Sequence, residues 1–246
     1  MTEAENIPQI TTEIKATDIL TRAFDIYSKN FLPYFLTFLV IGALSTLLSY
    51  SIDPEAYTQV STVFTVAEIF SLIIGFVLSN VANGLVIKLT SEIYTKGKGD
   101  VKSSFNHSMA RIIPLLVGSL FFAVLVGVGL VLLIVPGVLL FIMFCLINQF
   151  IMLEDKGVLE AFSSSRNLVS KNWTKVFYLA LLLILIIFTT AFFSDIFAEY
   201  LGTLGSQIIG QVVSALIEPL WPISFTILYY QLRNKKNLEK QLIQQM

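Results

Sequence analysis

Residues 136–177, PGVLLFIMFCLINQFIMLEDKGVLEAFSSSRNLVSKNWTKVF, decide the fold of this chain. An apolar run of helical length begins at Pro136 and ends at the charged break Glu154-Asp155-Lys156-Gly157. A short amphipathic segment follows, and a second apolar run starts near Thr174. About 20 apolar residues in helical form cross the ~30 Å hydrocarbon core of a bilayer. The stretch therefore predicts an apolar helix, an interfacial amphipathic helix and another apolar helix, in that order.

The composition of the whole chain agrees with this plan. Of its 246 residues, 55% are hydrophobic and 13% are charged, and the mean hydropathy is +0.78. A soluble fold of this size cannot bury so much apolar surface, whereas a helix in a bilayer satisfies its own backbone hydrogen bonds. We therefore predict an all-α polytopic membrane protein. The single cysteine, Cys145, excludes an intramolecular disulfide, and the net charge of −1 gives no sign of nucleic-acid binding.

The same plan recurs along the chain, and it predicts six transmembrane helices arranged as three hairpins. A cytoplasmic interfacial amphipathic helix precedes each hairpin. The amphipathic segments are predicted at residues 12–29, near 101–112 and from 157 onward. Spans one and two are predicted at 33–51 and 61–89, and span three runs from 114 to an apolar turn at 129–135. Spans four, five and six are predicted at 136–153, 174–193 and 207–230, with a loop between spans five and six at 194–205. Residues 1–11 are expected to form a disordered cytoplasmic tail, 12–233 a single six-span domain and 234–246 a basic cytoplasmic tail.

Weak internal similarity supports three repeated units. Aligned without gaps, Phe105 falls on Phe162, Ser108 on Ser165, and the tripeptide at 28–30 on the tripeptide at 170–172. The order of elements is the firmer sign of a repeat, because such identities are common in so biased a composition.

The placement of charges predicts the orientation. All 16 Lys and Arg residues lie before span one, at or between spans two and three, at or between spans four and five, or after span six. The other three connections carry acidic residues instead, namely Asp53, Glu55, Asp195 and Glu199. By the positive-inside rule, both termini and all three amphipathic helices are predicted on the cytoplasmic side of the cell membrane.

Part of this pattern resembles a known family. The residues that carry the resemblance are Pro136-Gly137, Glu154, Gly157, Glu160-Ala161, Ser165, Leu168, Trp173 and Leu228-Tyr229-Tyr230-Gln231-Leu232-Arg233. They are similar to the six-span membrane domain attached to some glycerophosphoryl diester phosphodiesterases, and to related stand-alone integral membrane proteins. Here Gln231 takes the place of an acid, and Ser164 takes the place of a basic residue. The resemblance implies the six-span fold only, because the phosphodiesterase is a separate soluble barrel that these residues do not contain.

Glu218 is the strongest candidate for an ion or proton site. It is predicted near the middle of span six, beside Pro219 and Pro222. Each proline removes a helical N–H donor, so carbonyl oxygens, that of Glu218 among them, are expected to be freed beside the carboxylate. The structural interpretation, which we favour, is a packing helix whose neutral glutamic acid bonds to Asn80 or Asn83 on span two. Asn80 and Asn83 are three residues apart, and we interpret them first as interhelical hydrogen-bonding residues, as we do Asn148 and Gln149.

A basic rim is predicted at the headgroup level. Lys and Arg side chains near an anionic surface each contribute on the order of 1 kcal/mol to lipid attraction. The residues assigned to headgroup contact are Lys29, Arg111, Lys171, Trp173, Lys175, Arg233, Lys235 and Lys236. Glu154 and Asp155 precede the amphipathic helix that begins near Gly157, where we expect them to cap it, with an ion pair to Arg166 or Lys171 as the alternative.

No catalytic constellation is found in the sequence. His107 is the only histidine and is expected to be solvated, and Ser163-Ser164-Ser165 lacks the glycine-flanked elbow of a serine hydrolase. We predict no catalytic residue, metal ligand or cofactor. The favoured hypothesis is a non-enzymatic integral membrane protein that organises lipids or a membrane partner complex through its cytoplasmic interfacial helices.

The alternative is a small transporter or channel that uses Glu218 at the bilayer midplane as a proton or cation site, with a polar path along spans two and six. The partner predicted in either case is the lipid bilayer. Other membrane proteins and a second copy of the chain stay open as further partners.

Overall fold

A computed structural model describes residues 15–52 and 65–244 of the chain. Its secondary structure is helical throughout these residues, which confirms the all-α prediction. The helices are α1 Ala16–Lys29, α2 Phe31–Ile52, α3 Val66–Lys96, α4 Val101–Ala110, α5 Ile112–Leu132, α6 Ile134–Phe144, α7 Ile147–Leu153, α8 Val158–Val169, α9 Trp173–Ile217 and α10 Leu220–Gln244. The predicted N-terminal tail and most of the first outer loop lie outside the described residues.

Local signals in the sequence set several helix ends. Thr65 caps α3 through a reciprocal pair of hydrogen bonds with Glu68, the arrangement known as a capping box. Gly97 ends α3 in a left-handed conformation, with φ of 74°, which a glycine adopts without steric cost. The predicted break after Lys96 is therefore confirmed.

Five segments of the described chain are long and apolar enough to cross a membrane. The number rises to six if α8 and the first part of α9, which meet at a bend of 102°, are taken as one span. The amphipathic segments predicted before spans one, three and five form α1, α4 and α8. The sharp bend places α8 nearly perpendicular to the apolar helix that follows it.

The predicted loop between spans five and six is wrong, because its residues are helical. The chain forms one continuous helix of 45 residues, α9, through the segment 194–205 where we expected a loop. Its contour length at 1.5 Å per residue is ~68 Å, about twice the ~30 Å core of a bilayer. Lys235 on α10 nevertheless lies 3.0 Å from the Asn172 side chain at the start of α9, so α9 cannot be straight along its whole length, and the chain returns to the end where it began. The isolated glycines Gly202 and Gly205 each cost a helix only about 1 kcal/mol, whereas Pro219 removes an N–H and clashes with the preceding turn. The helix therefore ends at Ile217, and α10 starts at Leu220.

The predicted fourth span is interrupted. The α5–α6 turn falls at Leu133, inside the segment where we expected it. The apolar run that follows is not one helix, because it breaks at Cys145 and Leu146 into α6 and α7. Between α5 and α6 the backbones meet at Gly129 and Gly137, where a Cβ added to Gly129 would lie 2.9 Å from the Gly137 Cα.

The packed core lies at the end of the bundle that carries Arg111, Lys171 and Arg233, which we call the basic end. Large side chains buried there include Tyr34, Leu89, Leu115, Ile151 and Tyr229. The three amphipathic helices contribute to this core with matching positions. Two residues one helical turn apart are fully buried in each: Ile19 and Ala23 in α1, Ser104 and Ser108 in α4, and Ala161 and Ser165 in α8. These pairs agree with the ungapped alignment of the three units, so the repeat is visible in the packing.

Candidate functional site at the basic end

The acidic turn between α7 and α8 joins distant parts of the chain. Glu154, only 17% exposed in its side chain, accepts a hydrogen bond of 2.6 Å from the Tyr229 hydroxyl. The same carboxylate forms an ion pair with Arg233 on α10, and a second one of 3.3 Å with Lys156. Arg233 also donates to the Tyr229 hydroxyl. These contacts tie the middle of α10 to the turn between α7 and α8.

Asp155 forms the second half of the same turn. Its φ of 54° is left-handed, a conformation that Asp and Asn adopt more readily than other residues with a Cβ. The Asp155 carboxylate lies 2.9 Å from the Arg111 Nε and 4.0 Å from the His107 Nε2. The His107 Nε2 donates a hydrogen bond of 2.9 Å to the Met152 carbonyl. The acidic turn therefore holds the α4–α5 junction as well as α10.

These contacts correct two predictions. Gly157, the N-cap of α8, has no side chain that could cap the helix, and in the described chain neither the Glu154 nor the Asp155 carboxylate accepts a hydrogen bond from the first turn of α8. They form ion pairs instead, as in the alternative we considered, but with Arg233 and Arg111 rather than with Arg166 or Lys171. His107 is half-buried and bonded to a carbonyl rather than solvated.

Two aligned serines dock the interfacial helices onto their neighbours. The Ser165 Oγ donates a hydrogen bond of 2.8 Å to the Met143 carbonyl and accepts one of 3.3 Å from the Leu146 N–H. It therefore bridges the break between α6 and α7. The Ser108 Oγ donates a 3.2 Å hydrogen bond to the Val81 carbonyl of α3.

Hydroxyl contacts complete this end of the bundle. Tyr34 on α2 bonds to Thr90 on α3 at 3.0 Å, and Ser91 bonds to Tyr230 on α10 at 2.6 Å. Burial raises the pKa of Tyr27 on α1 above its usual value, because the phenolate would lose its hydration. The Tyr34 and Tyr230 hydroxyls thus link helices, whereas the buried Tyr27 hydroxyl has no hydrogen-bond partner in the described chain.

The predicted headgroup residues divide into two groups. Arg111 and Arg233 are engaged in ion pairs with the acidic turn, and Lys235 donates a hydrogen bond of 3.0 Å to the Asn172 side chain at the start of α9. Lys29 is exposed but pairs with Asp25 at 2.9 Å.

The second group surrounds the start of α9. Trp173 is 50% exposed. Within the described chain, no ion pair or side-chain hydrogen bond holds Lys171, Lys175 or Lys236. Because Lys235 contacts Asn172, the basic segment of α10 lies beside this corner. We call the surface formed by Lys171, Trp173, Lys175 and Lys236 the corner patch.

A polar cluster lies deeper in the bundle. The Ser119 Oγ on α5 contacts the Asn80 Oδ1 on α3 at 2.6 Å and the Asn148 Oδ1 on α7 at 3.3 Å. The prediction that Asn80 and Asn148 make interhelical hydrogen bonds is therefore confirmed. Asn83 donates instead to the Ser79 carbonyl of its own helix, at 2.8 Å. The buried Gln149 side chain makes no interhelical hydrogen bond in the described chain, so the prediction is wrong for Asn83 and Gln149.

Glu218 lies at the break between α9 and α10, and it is exposed. The predicted hydrogen bond to Asn80 or Asn83 is absent, and no described side chain pairs with its carboxylate. Its own carbonyl, expected to be freed by Pro222, accepts the Trp221 N–H at 3.2 Å instead. Trp221 in turn packs on Phe225 with ring centroids 4.9 Å apart. The structure thus separates Glu218 from the Asn80 cluster and leaves its carboxylate unpaired.

Sequence reasoning missed Ser119 and the role of the Ser165 hydroxyl. Ser119 is a lone small polar residue in an apolar run, which marks a polar contact but does not name its partner. The identity of Ser108 and Ser165 in the alignment was the available signal for the docking serines. Their targets are backbone groups, which have no signature in the sequence.

The chain belongs to a family described as domain of unknown function DUF7847, whose pattern matches residues 35–229. The matched region begins in α2 and ends at Tyr229, so it includes the acidic turn, the docking serines and the polar cluster. No curated protein and no solved structure matches the chain.

Proposed function

We propose that this member of the DUF7847 family is an integral protein of the cell membrane with six crossings and both termini in the cytoplasm. Its exposed apolar surface supports this location. Only 17% of the residues in the apolar segment of α5 are buried, and the same holds for α2. Apolar area in contact with water costs roughly 25 cal/mol per Å², so such helices need a surrounding apolar solvent. The clustering of Lys and Arg at one end supports a cytoplasmic basic end.

Within that membrane, the protein is a non-enzymatic organiser of anionic lipids or of a membrane partner complex at its basic end. The observation that carries this proposal is the corner where α8 meets α9. There Trp173 is 50% exposed and lies two residues from both Lys171 and Lys175, and no other side chain of the described chain holds either lysine. An indole and ammonium groups at a sharp bend are the features of a protein surface at the acyl–headgroup boundary.

The corner patch can be tested with the chain's own fluorescence. Trp173 and Trp221 are the only tryptophans, so Trp221→Phe leaves Trp173 as the single reporter. The protein is reconstituted in mixed vesicles in which either phosphatidylglycerol or phosphatidylcholine carries brominated acyl chains. Stronger quenching by the brominated anionic lipid at equal mole fraction measures its local enrichment around Trp173.

Neutralising the corner patch should remove this enrichment. Each lysine contributes on the order of 1 kcal/mol to anionic lipid attraction, so Lys171→Gln, Lys175→Gln and Lys236→Gln together should lower the enrichment severalfold. Lys96→Gln, Lys98→Gln and Lys102→Gln remove the same charge from exposed positions at the α3–α4 connection and serve as the matched control. Unchanged quenching in the first variant, or an equal fall in the control, would contradict a specific lipid contact at this corner.

A second candidate function is a small transporter or channel that uses Glu218. The observation in its favour is an exposed carboxylate, unpaired in the described chain, where two helices break at a proline. Acids inside apolar helices usually line a pathway or face a water-filled cavity. Proteoliposome flux across a pH series, compared between wild type and Glu218→Gln, tests it. Equal flux in the two proteins would leave Glu218 without a transport role.

The resemblance to the membrane domain of glycerophosphoryl diester phosphodiesterases forms part of this proposal. Three of the residues that carry the resemblance lie in contact with one another, which supports it: Glu154 contacts both Tyr229 and Arg233. A related membrane domain would keep this contact even where its other functions differ.

A further inference from the structure

The tip of the α5–α6 hairpin exposes a continuous apolar surface. The five consecutive residues Val131 to Val135 are all between 67% and 88% exposed, and Val131 is the most exposed of them. They lie at the end of the hairpin opposite Arg111 and the basic end. No other stretch of the described chain exposes so many large apolar residues in sequence.

Part of the backbone of this turn is hydrogen-bonded within the chain. The Leu133 N–H donates to the Gly129 carbonyl at 3.0 Å, and the Gly137 N–H donates to the Leu133 carbonyl at 3.3 Å. Close contact between Gly129 and Gly137 lets the two helices turn within a few residues. Non-helical backbone at membrane depth is costly mainly because of unpaired polar groups, and at Leu133, the residue between the two helices, the chain itself pairs both the N–H and the carbonyl.

The side chains of the hairpin also lack any group that water would solvate well. From Leu120 to Ile147 there are no charged residues, and no Ser, Thr, Asn, Gln, His, Tyr or Trp. By contrast, the connections between helices at the basic end contain the charged segments Glu154-Asp155-Lys156 and Lys96-Gly97-Lys98. A turn that enters water would be expected to carry such residues.

The shape of the exposed surface indicates what covers it. A protein partner packs against one face of a helix pair, so its contact residues would form a stripe along the hairpin. At this tip every residue of the turn is exposed, whichever direction it faces. Hydrocarbon chains solvate a surface from all directions. Resting on the membrane location proposed above, we infer that the tip at Val131 to Val135 is covered by lipid acyl chains and does not emerge into the aqueous phase on the far side.

The length of α5 fits this placement. Its 21 residues span ~31 Å, close to the ~30 Å thickness of the hydrocarbon core. With Arg111 held at the basic end by Asp155, an upright or tilted α5 brings the tip to the far edge of the hydrocarbon or leaves it within. The hairpin would then anchor in the far leaflet without exposing a loop.

Single cysteines at the tip test the inference. Cys145→Ser removes the only native cysteine, and Val131→Cys, Leu133→Cys and Val135→Cys are then introduced one at a time at these exposed positions. Lys98→Cys at the basic end is the matched aqueous control. Resistance to alkaline extraction is measured first, so that a failure of membrane location is recognised separately from a failure of the inference.

Two readouts then distinguish lipid, water and protein around the tip. In the first, each cysteine variant in intact vesicles is treated with a membrane-impermeant maleimide from either side, and the labelling rate is measured. In the second, the same cysteines are labelled with bimane, and quenching of the bimane fluorescence by lipids that carry a nitroxide on the acyl chain is measured. Tip cysteines should label at under a tenth of the Lys98→Cys rate, and their bimanes should be quenched by the acyl nitroxide. Rapid labelling from the far side would overturn the inference, and so would weak quenching by both lipid and aqueous quenchers, which would indicate a protein cover.

Discussion

Replacing Ser165 by alanine should destabilise the protein more than the same change at Ser108. The two serines occupy aligned positions, are both fully buried, and both donate to a backbone carbonyl of a neighbouring helix. They differ in whether the backbone groups that they bond to would keep another hydrogen-bond partner after the substitution. Val81 lies inside the continuous helix α3, where its carbonyl also accepts the helical N–H four residues on. Ser165 bridges a helix break, where the buried Leu146 N–H has its hydroxyl as acceptor.

The magnitude follows from these contacts. Interhelical hydrogen bonds in membrane proteins average about 0.6 kcal/mol, and a buried donor left unsatisfied costs about 1 to 3 kcal/mol. Ser165→Ala removes two hydrogen bonds and leaves one buried N–H without an acceptor, so we expect the free energy of unfolding to fall by about 2 to 3 kcal/mol. Ser108→Ala removes one long hydrogen bond and leaves no backbone group without a partner, so we expect the free energy of unfolding to fall by about 0.5 kcal/mol. The better helix propensity of alanine acts equally in both variants and cancels in the comparison.

The assay is reversible unfolding of the purified protein in mixed micelles, followed by circular dichroism. For a domain of this size, the Ser165→Ala loss corresponds to a fall in melting temperature of about 4 to 12 °C. Ser165→Thr keeps the hydroxyl and is the control for the hydrogen bonds, although it adds one methyl group at a fully buried position. If Ser108→Ala costs as much as Ser165→Ala, the argument from the helix break is wrong.

Two further predictions use the same assay. Gly137→Leu should cost about 2 kcal/mol or more, because its Cβ would lie 2.6 Å from the Leu130 backbone N, whereas Gly127→Leu, with open space around it, should be neutral or stabilising. Glu154→Gln and Arg233→Gln should couple by about 1 kcal/mol in a double-mutant cycle, a value reduced by the 44% exposure of the Arg233 side chain. Additive losses would mean that their ion pair contributes nothing.

Much of the helical plan was predictable, because the decisive signals are local. Apolar runs, the glycine after Lys96 and the prolines at 114 and 136 mark helices and their ends through backbone chemistry that acts within a few residues. The 45-residue helix α9 was not predicted, because two glycines and two acids between apolar runs are typical of a loop. Their cost to a helix is nevertheless small compared with that of Pro219 and Pro222.

The site was less predictable, since it depends on long-range pairing. Charge placement predicted that Arg111 and Arg233 would share one end, but their partners are Asp155 and Glu154, far apart from them in sequence. Such a pairing is decided by helix packing and by the left-handed turn at Asp155. The sequence identifies the charged residues at this end, and only the packed structure shows which of them are left free for a ligand.

The contact of Glu154 with Arg233 spans 79 residues of chain. It therefore cannot close until the final helix has been synthesised and has docked. Until then, Glu154 lacks two of its partners, Tyr229 and Arg233, and the acidic turn is held from one side only, through Arg111. A chain that stalls or is cleaved before residue 229 would thus keep this turn unlocked, so closure of the basic end reports that α10 has been made and has docked.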